Sequence, residues 1–158
     1  ISVLLAFVAH DIYFYWTHRA LHHKWLFRHV HFIHHKSKNP TPFAAYSFHW
    51  FEATILHLFL FPFLMLVPIQ IEMLILFLIL TYFFTVWGHF GYEMMPFSTW
   101  TSKWGSWITT STHHNYHHRH VRGNFALYFR AWDIRLGTLL DETRLFFESK
   151  EKEKTGQD

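Results

Sequence analysis

FHWFEATILHLFLFPFLMLVPIQIEMLILFLILTYFFTVWGHF, residues 48–90, is the longest apolar stretch of the chain, and the way it divides decides the fold. Pro68-Ile69-Gln70 cuts it into two segments of about 18 to 20 residues, each close to the ~20 needed to cross a hydrocarbon core as a helix. Two such helices joined by a short turn form a hairpin that returns the chain to the side it left. The charges agree with this. Between Asn39 and Ser102 there is no Lys or Arg, and all 14 basic residues lie before or after that interval. The positive-inside rule then places both flanks on the cytoplasmic face. Basic ends around a long apolar interior fit a bilayer, not a nucleic-acid partner.

Composition supports the same class. Charged residues make up 16% of the chain, against about a quarter in soluble domains. Cysteine is absent, which excludes disulfides, iron–sulfur clusters, thiolate zinc sites and cysteine nucleophiles. Upstream of the hairpin, Ile1 to about His23 reads as a helix. Asp11, Tyr15, His18 and His22 share one stripe, while Ile12, Phe14 and Trp16 suit lipid or neighbouring helices. A short helix over Trp25–Lys36 is expected to end at Asn39-Pro40-Thr41-Pro42. Downstream, Trp100, Trp104 and Trp107 suit a membrane interface, and Thr112–His120 is rich in histidine. The expected fold is all-α: an integral-membrane helical bundle with a transmembrane hairpin and a cytoplasmic-side, histidine-rich helical cap. Residues 1–147 are expected to form a single domain, N-terminally incomplete because the chain opens inside an apolar run. Residues 148–158 read as a polar, disordered tail.

Histidine is the compositional outlier, with 16 residues. Three clusters organise them: His18-Arg-Ala-Leu-His22, His31-Phe-Ile-His34-His35, and His114-Asn-Tyr-His117-His118. Residues three and four apart share a helix face, about 5–6 Å apart at Cβ, so their imidazoles can converge on one ion. Three such faces can enclose two ions. Neutral imidazole serves iron, zinc, copper and nickel, so spacing alone leaves the metal open. A transporter would place such ligands near the bilayer midplane on broken helices; here the clusters lie outside the apolar hairpin, which favours an enzyme.

The run from Asp11 to His22, the two H-x2-HH clusters and Trp132-Asp133…Gly137-Thr138 resemble, as an ordered set, the fatty acid hydroxylase superfamily. His34-His35-Lys-Ser-Lys-Asn-Pro-Thr-Pro-Phe-Ala-Ala-Tyr-Ser-Phe-His49 is most similar to its sterol desaturase branch. The resemblance runs from about residue 10 to 138. It implies a membrane di-metal oxygenase with two iron ions, for which zinc can substitute in preparations, and with O2 as co-substrate. It implies hydroxylation or desaturation of a sterol or fatty-acyl lipid; the alternative branch is a fatty acid or sphingolipid hydroxylase. The ligands it implies are His18, His22, His31, His34, His35, His114, His117 and His118. His49 and His89 join them by position, although Trp50 stands where the family usually has proline after the first of these. Glu93 replaces a histidine found in some fatty acid hydroxylases, leaving His49, Glu93 and His113 as rivals for the tenth ligand.

Two carboxylates are candidates to support the site. Asp11 and Asp133 can each accept the outer N–H of a ligand imidazole, fixing its tautomer, or pair with Arg19 and with Arg130 or Arg135. Because the chain has no flavin or haem module, electrons are expected from a separate donor, a cytochrome b-type protein or a ferredoxin, docking on the basic face. The expected location is a bacterial inner membrane or the endoplasmic reticulum, with the metal site on the cytoplasmic side.

Overall fold

Two prolines shape the apolar stretch. In the computed structural model, which describes every residue except 97, 99, 101, 103, 157 and 158, α5 (Ile71–Gly88) is one continuous helix. The other half of the expected hairpin is split into α3 (Trp50–His57) and α4 (Leu60–Leu66). Pro62 explains the split. It has no N–H to offer the carbonyl of Leu58, and its ring crowds that carbonyl, so the helix restarts after Leu58. Pro68 ends α4 by holding Val67 extended, at φ −123° and ψ 114°. Among the described residues, α5 alone is long and apolar enough to cross a membrane, with mean hydropathy 2.0 over 18 residues.

α1 (Ser2–Leu21) lies beside α5 and packs Ala6 against Phe59, Phe63 and Phe77. Both long helices turn apolar stripes outward. Leu4, Val8, Ile12 and Trp16 on α1, and Ile71, Ile75, Ile79 and Phe83 on α5, are all exposed at four-residue spacing. Only 6% of α5 is buried in the protein, so it is not the core helix of a soluble domain.

The helix expected over Trp25–Lys36 is two pieces. α2 (Lys24–His29) stops at Val30, whose φ −124° and ψ −67° leave the helical region, and a 3-10 helix follows over His31–Lys36. After the tryptophan-rich stretch come α6 (Ser111–His120) and α7 (Ala131–Arg135). Trp104 and Trp107 are exposed, whereas Trp100 is buried on Phe147. The tail also departs from expectation. α8 (Asp141–Thr155) continues helically through the charged segment to Thr155, with Lys150–Glu153 and Arg144–Glu148 paired along its surface. Such pairs three and four apart support a helix that burial does not.

Candidate metal centre

The core between α1, the 3-10 helix, the end of α5 and α6 is made of imidazole. His18 and His22 come from the last turn of α1, and His31, His34 and His35 from the 3-10 helix. His89 caps α5, and α6 supplies His114, His117 and His118. α6 is tightly held. Its first turn is capped by the Thr110 hydroxyl, which accepts the His113 N–H, and by Glu93, which accepts the Thr112 N–H. It ends at Val121 in the left-handed region, φ 53°, a strained place for a β-branched residue. That turn brings the Gly123 carbonyl back to His117 Nδ1 at 2.7 Å. Gly123 itself passes so close to the chain that a Cβ there would lie 2.3 Å from the Thr138 carbonyl oxygen.

Nine imidazoles separate into two groups, His18, His22, His31, His35 and His117, and His34, His89, His114 and His118. Within each group the potential ligand atoms lie within 4.8 Å of one another. Each H-x2-HH cluster contributes to both groups, so no cluster builds one site by itself. On α6, His114 and His118 are one turn apart and face the second group, while His117 points to the first. His35 Nε2 lies 3.0 Å from His31 Nε2 and 3.1 Å from His117 Nε2. His89 Nε2 lies 3.2 Å from His34 Nε2 and 3.1 Å from His114 Nε2, and His118 Nε2 lies 3.1 Å from His114 Nε2.

The groups behind five of these rings fix their tautomers. His117, His89 and His118 give their Nδ1–H to the carbonyls of Gly123, Thr85 and Ser37. His31 gives its Nδ1–H to Glu52 Oε1 at 2.7 Å, and His18 gives its own to the Phe125 carbonyl at 2.8 Å. Neutral imidazole has one N–H, so the Nε2 atoms of these five residues are acceptors with a lone pair turned into the cluster. Burial, followed by the neighbouring imidazoles, pushes His31, His34, His114 and His117 well below the usual histidine range. Burial pushes His118 to about 3 as well, with His89 adding to it. The cluster is therefore neutral and rich in lone pairs, which suits a cation. Both ring nitrogens of His22 are also buried without a partner. The donor set, neutral imidazole in two converging groups, fits a pair of transition-metal ions.

His49, the remaining expected ligand, is in neither group. It stands at the start of α3, where its Nδ1 accepts the Phe51 N–H. The other candidates for a tenth position are also engaged elsewhere. Glu93 caps α6, and His113 Nε2 rests 3.2 Å from Asp133 Oδ2.

Neither Asp11 nor Asp133 touches a grouped imidazole. Asp11 accepts the N–H groups of Tyr128 and Phe129, and no ion pair joins it to Arg19 among the described residues. Asp133 accepts from Phe125 N–H, Ala126 N–H and the Thr138 hydroxyl. It reaches the site at one remove, because the peptide whose N–H it accepts at Ala126 presents its carbonyl, that of Phe125, to His18. Burial alone would raise the Asp133 carboxyl, but His113 and these hydrogen bonds hold it below the usual carboxylate range.

The carboxyl that does hold an imidazole is Glu52, fully buried on α3. Sequence reasoning missed it. The available signal was a lone acidic residue inside an apolar segment without any Lys or Arg. Its partner had to be found among the histidines.

A cleft opens onto both groups. It is lined by His18, His31, His34, His89 and His114, and otherwise by Phe14, Phe48, Leu56, Thr85, Leu127 and their neighbours.

Residues 3–138 match the family model described as fatty acid hydroxylase. Over 131 residues the chain is 33% identical to a lathosterol oxidase of Rattus norvegicus, covering 80% of this chain and 40% of that protein. It is 38% identical over 142 residues to a very-long-chain aldehyde decarbonylase of Oryza sativa subsp. indica, covering 87% and 52%. A Delta(7)-sterol 5(6)-desaturase of Gibberella zeae is 31% identical over 139 residues, covering 87% and 41%. The chain thus spans about half, or less, of the length of these curated relatives. No solved structure matches it.

Proposed function

We propose that this chain, which belongs to the fatty acid hydroxylase family, holds two iron ions in its histidine groups and oxidises an unactivated C–H bond of a membrane lipid with O2. The observation that carries this reading is the convergence of nine imidazoles in two groups, five of them with Nε2 fixed as an acceptor by a carbonyl or Glu52 behind the ring. When bound, the two ions would supply O2 activation. His18, His22, His31, His35 and His117 would hold one ion, and His34, His89, His114 and His118 the other. Glu52 keeps His31 in the Nδ1–H tautomer and raises its basicity. Phe14, Phe48, Leu56 and Leu127 keep the cleft dry and guide an apolar chain or ring to the centre.

The relatives named for sterol oxidation and desaturation, and for an aldehyde decarbonylase, point to a sterol or fatty-acyl lipid as substrate. The outward stripes of α1 and α5 seat the protein in a bilayer of the endoplasmic reticulum or a bacterial inner membrane, with the metal centre on the cytoplasmic side. Electrons come from a separate cytochrome b-type protein or ferredoxin. Oxygen uptake by iron-loaded, membrane-reconstituted full-length protein, given a reductant and a panel of sterols and acyl lipids, tests the reading. Lipid-dependent uptake with a hydroxylated or desaturated product by mass spectrometry supports it; uptake that no lipid stimulates contradicts it.

A further inference from the structure

Beyond the histidine-lined cleft a second cavity lies between α1, α3, α4 and α5. The two share Phe14, Phe48, Leu56, Thr85 and Leu127 in their walls, so they adjoin and are taken together as one passage. At its far mouth stand Tyr46, His57 and Tyr82, all exposed, so the passage opens sideways on the flank that α5 turns to lipid.

Several polar side chains interrupt these largely apolar walls, and one set of them is hydrogen-bonded together. His10 and Thr81 line the passage, and behind them the buried Tyr128 hydroxyl lies 2.8 Å from His10 Nδ1 and 2.8 Å from Thr81 Oγ1. His10 is itself 7% exposed, and its Nε2 has no partner among the described residues. The chain of protons can run either way. If Tyr128 donates to Nδ1, Nε2 carries a hydrogen and donates into the passage. If Nδ1–H donates to Tyr128, which donates on to Thr81, Nε2 accepts. A hydroxyl group can meet either form, and a carbonyl the first.

We propose that His10, seated on Tyr128 and Thr81, binds the single uncharged oxygen of the lipid. The inference deepens the proposed function and rests on it in taking the passage as the route to the metal centre. It makes His10 a determinant of which carbon arrives at the ions, because the lipid is anchored by its oxygen at a set distance from them.

The test is equilibrium binding of radiolabelled 1-hexadecanol and hexadecane to the detergent-solubilised, metal-loaded full chain at pH 8. Hexadecanol should bind about tenfold more tightly than hexadecane, as one buried hydrogen bond allows. His10→Leu should lower hexadecanol to the level of hexadecane while leaving hexadecane unchanged. Equal binding of alcohol and alkane by the unaltered protein overturns the proposal. So does an alcohol preference that survives in His10→Leu. If His10→Leu does not fold, Tyr128→Phe decides: it keeps the ring and removes only the hydroxyl that orients His10. The alcohol preference must then shrink at unchanged hexadecane affinity, and an undiminished preference overturns the site. Metal content of the same samples separates the two readings. Two ions per chain with no alcohol preference ends the His10 site alone, whereas a chain without metal ends the proposed function, whatever it binds.

Discussion

The two histidine groups use one residue type and are held differently. The first has five imidazoles and a carboxyl behind one of them, Glu52 on His31, with the carbonyls of Phe125 and Gly123 behind His18 and His117. The second has four imidazoles and is steadied by main-chain carbonyls, Thr85 behind His89 and Ser37 behind His118. A carboxyl makes an imidazole a stronger base than a carbonyl does. The first group should therefore hold its ion more tightly, and the second, one ligand short, should leave more room for a reacting molecule. Both groups reach the cleft, His18 and His31 from the first and His34, His89 and His114 from the second. Identical side chains should thus give two positions of different affinity when the groups behind them differ.

The largest test of that contrast removes one group at a time. His35→Ala with His117→Ala should abolish oxidation, at least a thousandfold, and leave about one ion per chain in the second group. His114→Ala with His118→Ala should be equally inactive and keep the other ion. Elemental analysis of both variants decides; loss of both ions in each would show that the groups bind as one unit and erase the distinction.

Glu52→Gln sharpens it further. The amide still accepts from His31 but no longer raises its basicity, so metal affinity should fall about tenfold at one site and not at the other. Competition with a chelator would then become visibly biphasic. Equal weakening of both ions, or of neither, would remove Glu52 from the account.

Asp133→Asn should act less selectively. It disturbs three hydrogen bonds that set the peptide facing His18, at a cost of about 2 kcal/mol in unfolding free energy. Because the folded carboxyl titrates below its unfolded value of about 4, its contribution is complete above that pH. It is lost as the pH falls through the lowered folded value. The gap in denaturation midpoint between wild type and Asp133→Asn should be constant from neutrality to about pH 5 and close in more acid solution. His49→Ala is the smallest change: one helix cap, about 1 kcal/mol or less, with metal content intact. Loss of an ion in that variant would restore His49 as a ligand.

How much of this was legible in the sequence depends on what carried the information. The helical stripe of α1, the histidine spacing of α6 and the uninterrupted α5 could be read directly, because periodicity and hydropathy belong to side chains. The split at Pro62 was also written there but outweighed by hydropathy. What could not be read is the work of the main chain. The carbonyls of Phe125, Thr85, Ser37 and Gly123 fix the imidazoles, and any residue type has a carbonyl. The same holds for Asp11, whose expected imidazole partner is replaced by the backbone N–H groups of Tyr128 and Phe129. The left-handed turn at Val121 and the 3-10 helix at His31 decide which histidine joins which group, and both are imposed by tertiary packing against local preference. The helical tail to Thr155 shows the converse, a polar segment ordered by its own alternating charges.

Metal quantification on the purified full-length protein tests the central claim most directly. Two iron ions per chain after anaerobic loading, falling to about one in the His114→Ala, His118→Ala variant, is the predicted result. A chain that takes up no stoichiometric metal, or whose content is unchanged by that variant, would contradict it and leave nine neutral imidazoles facing one another without a reason.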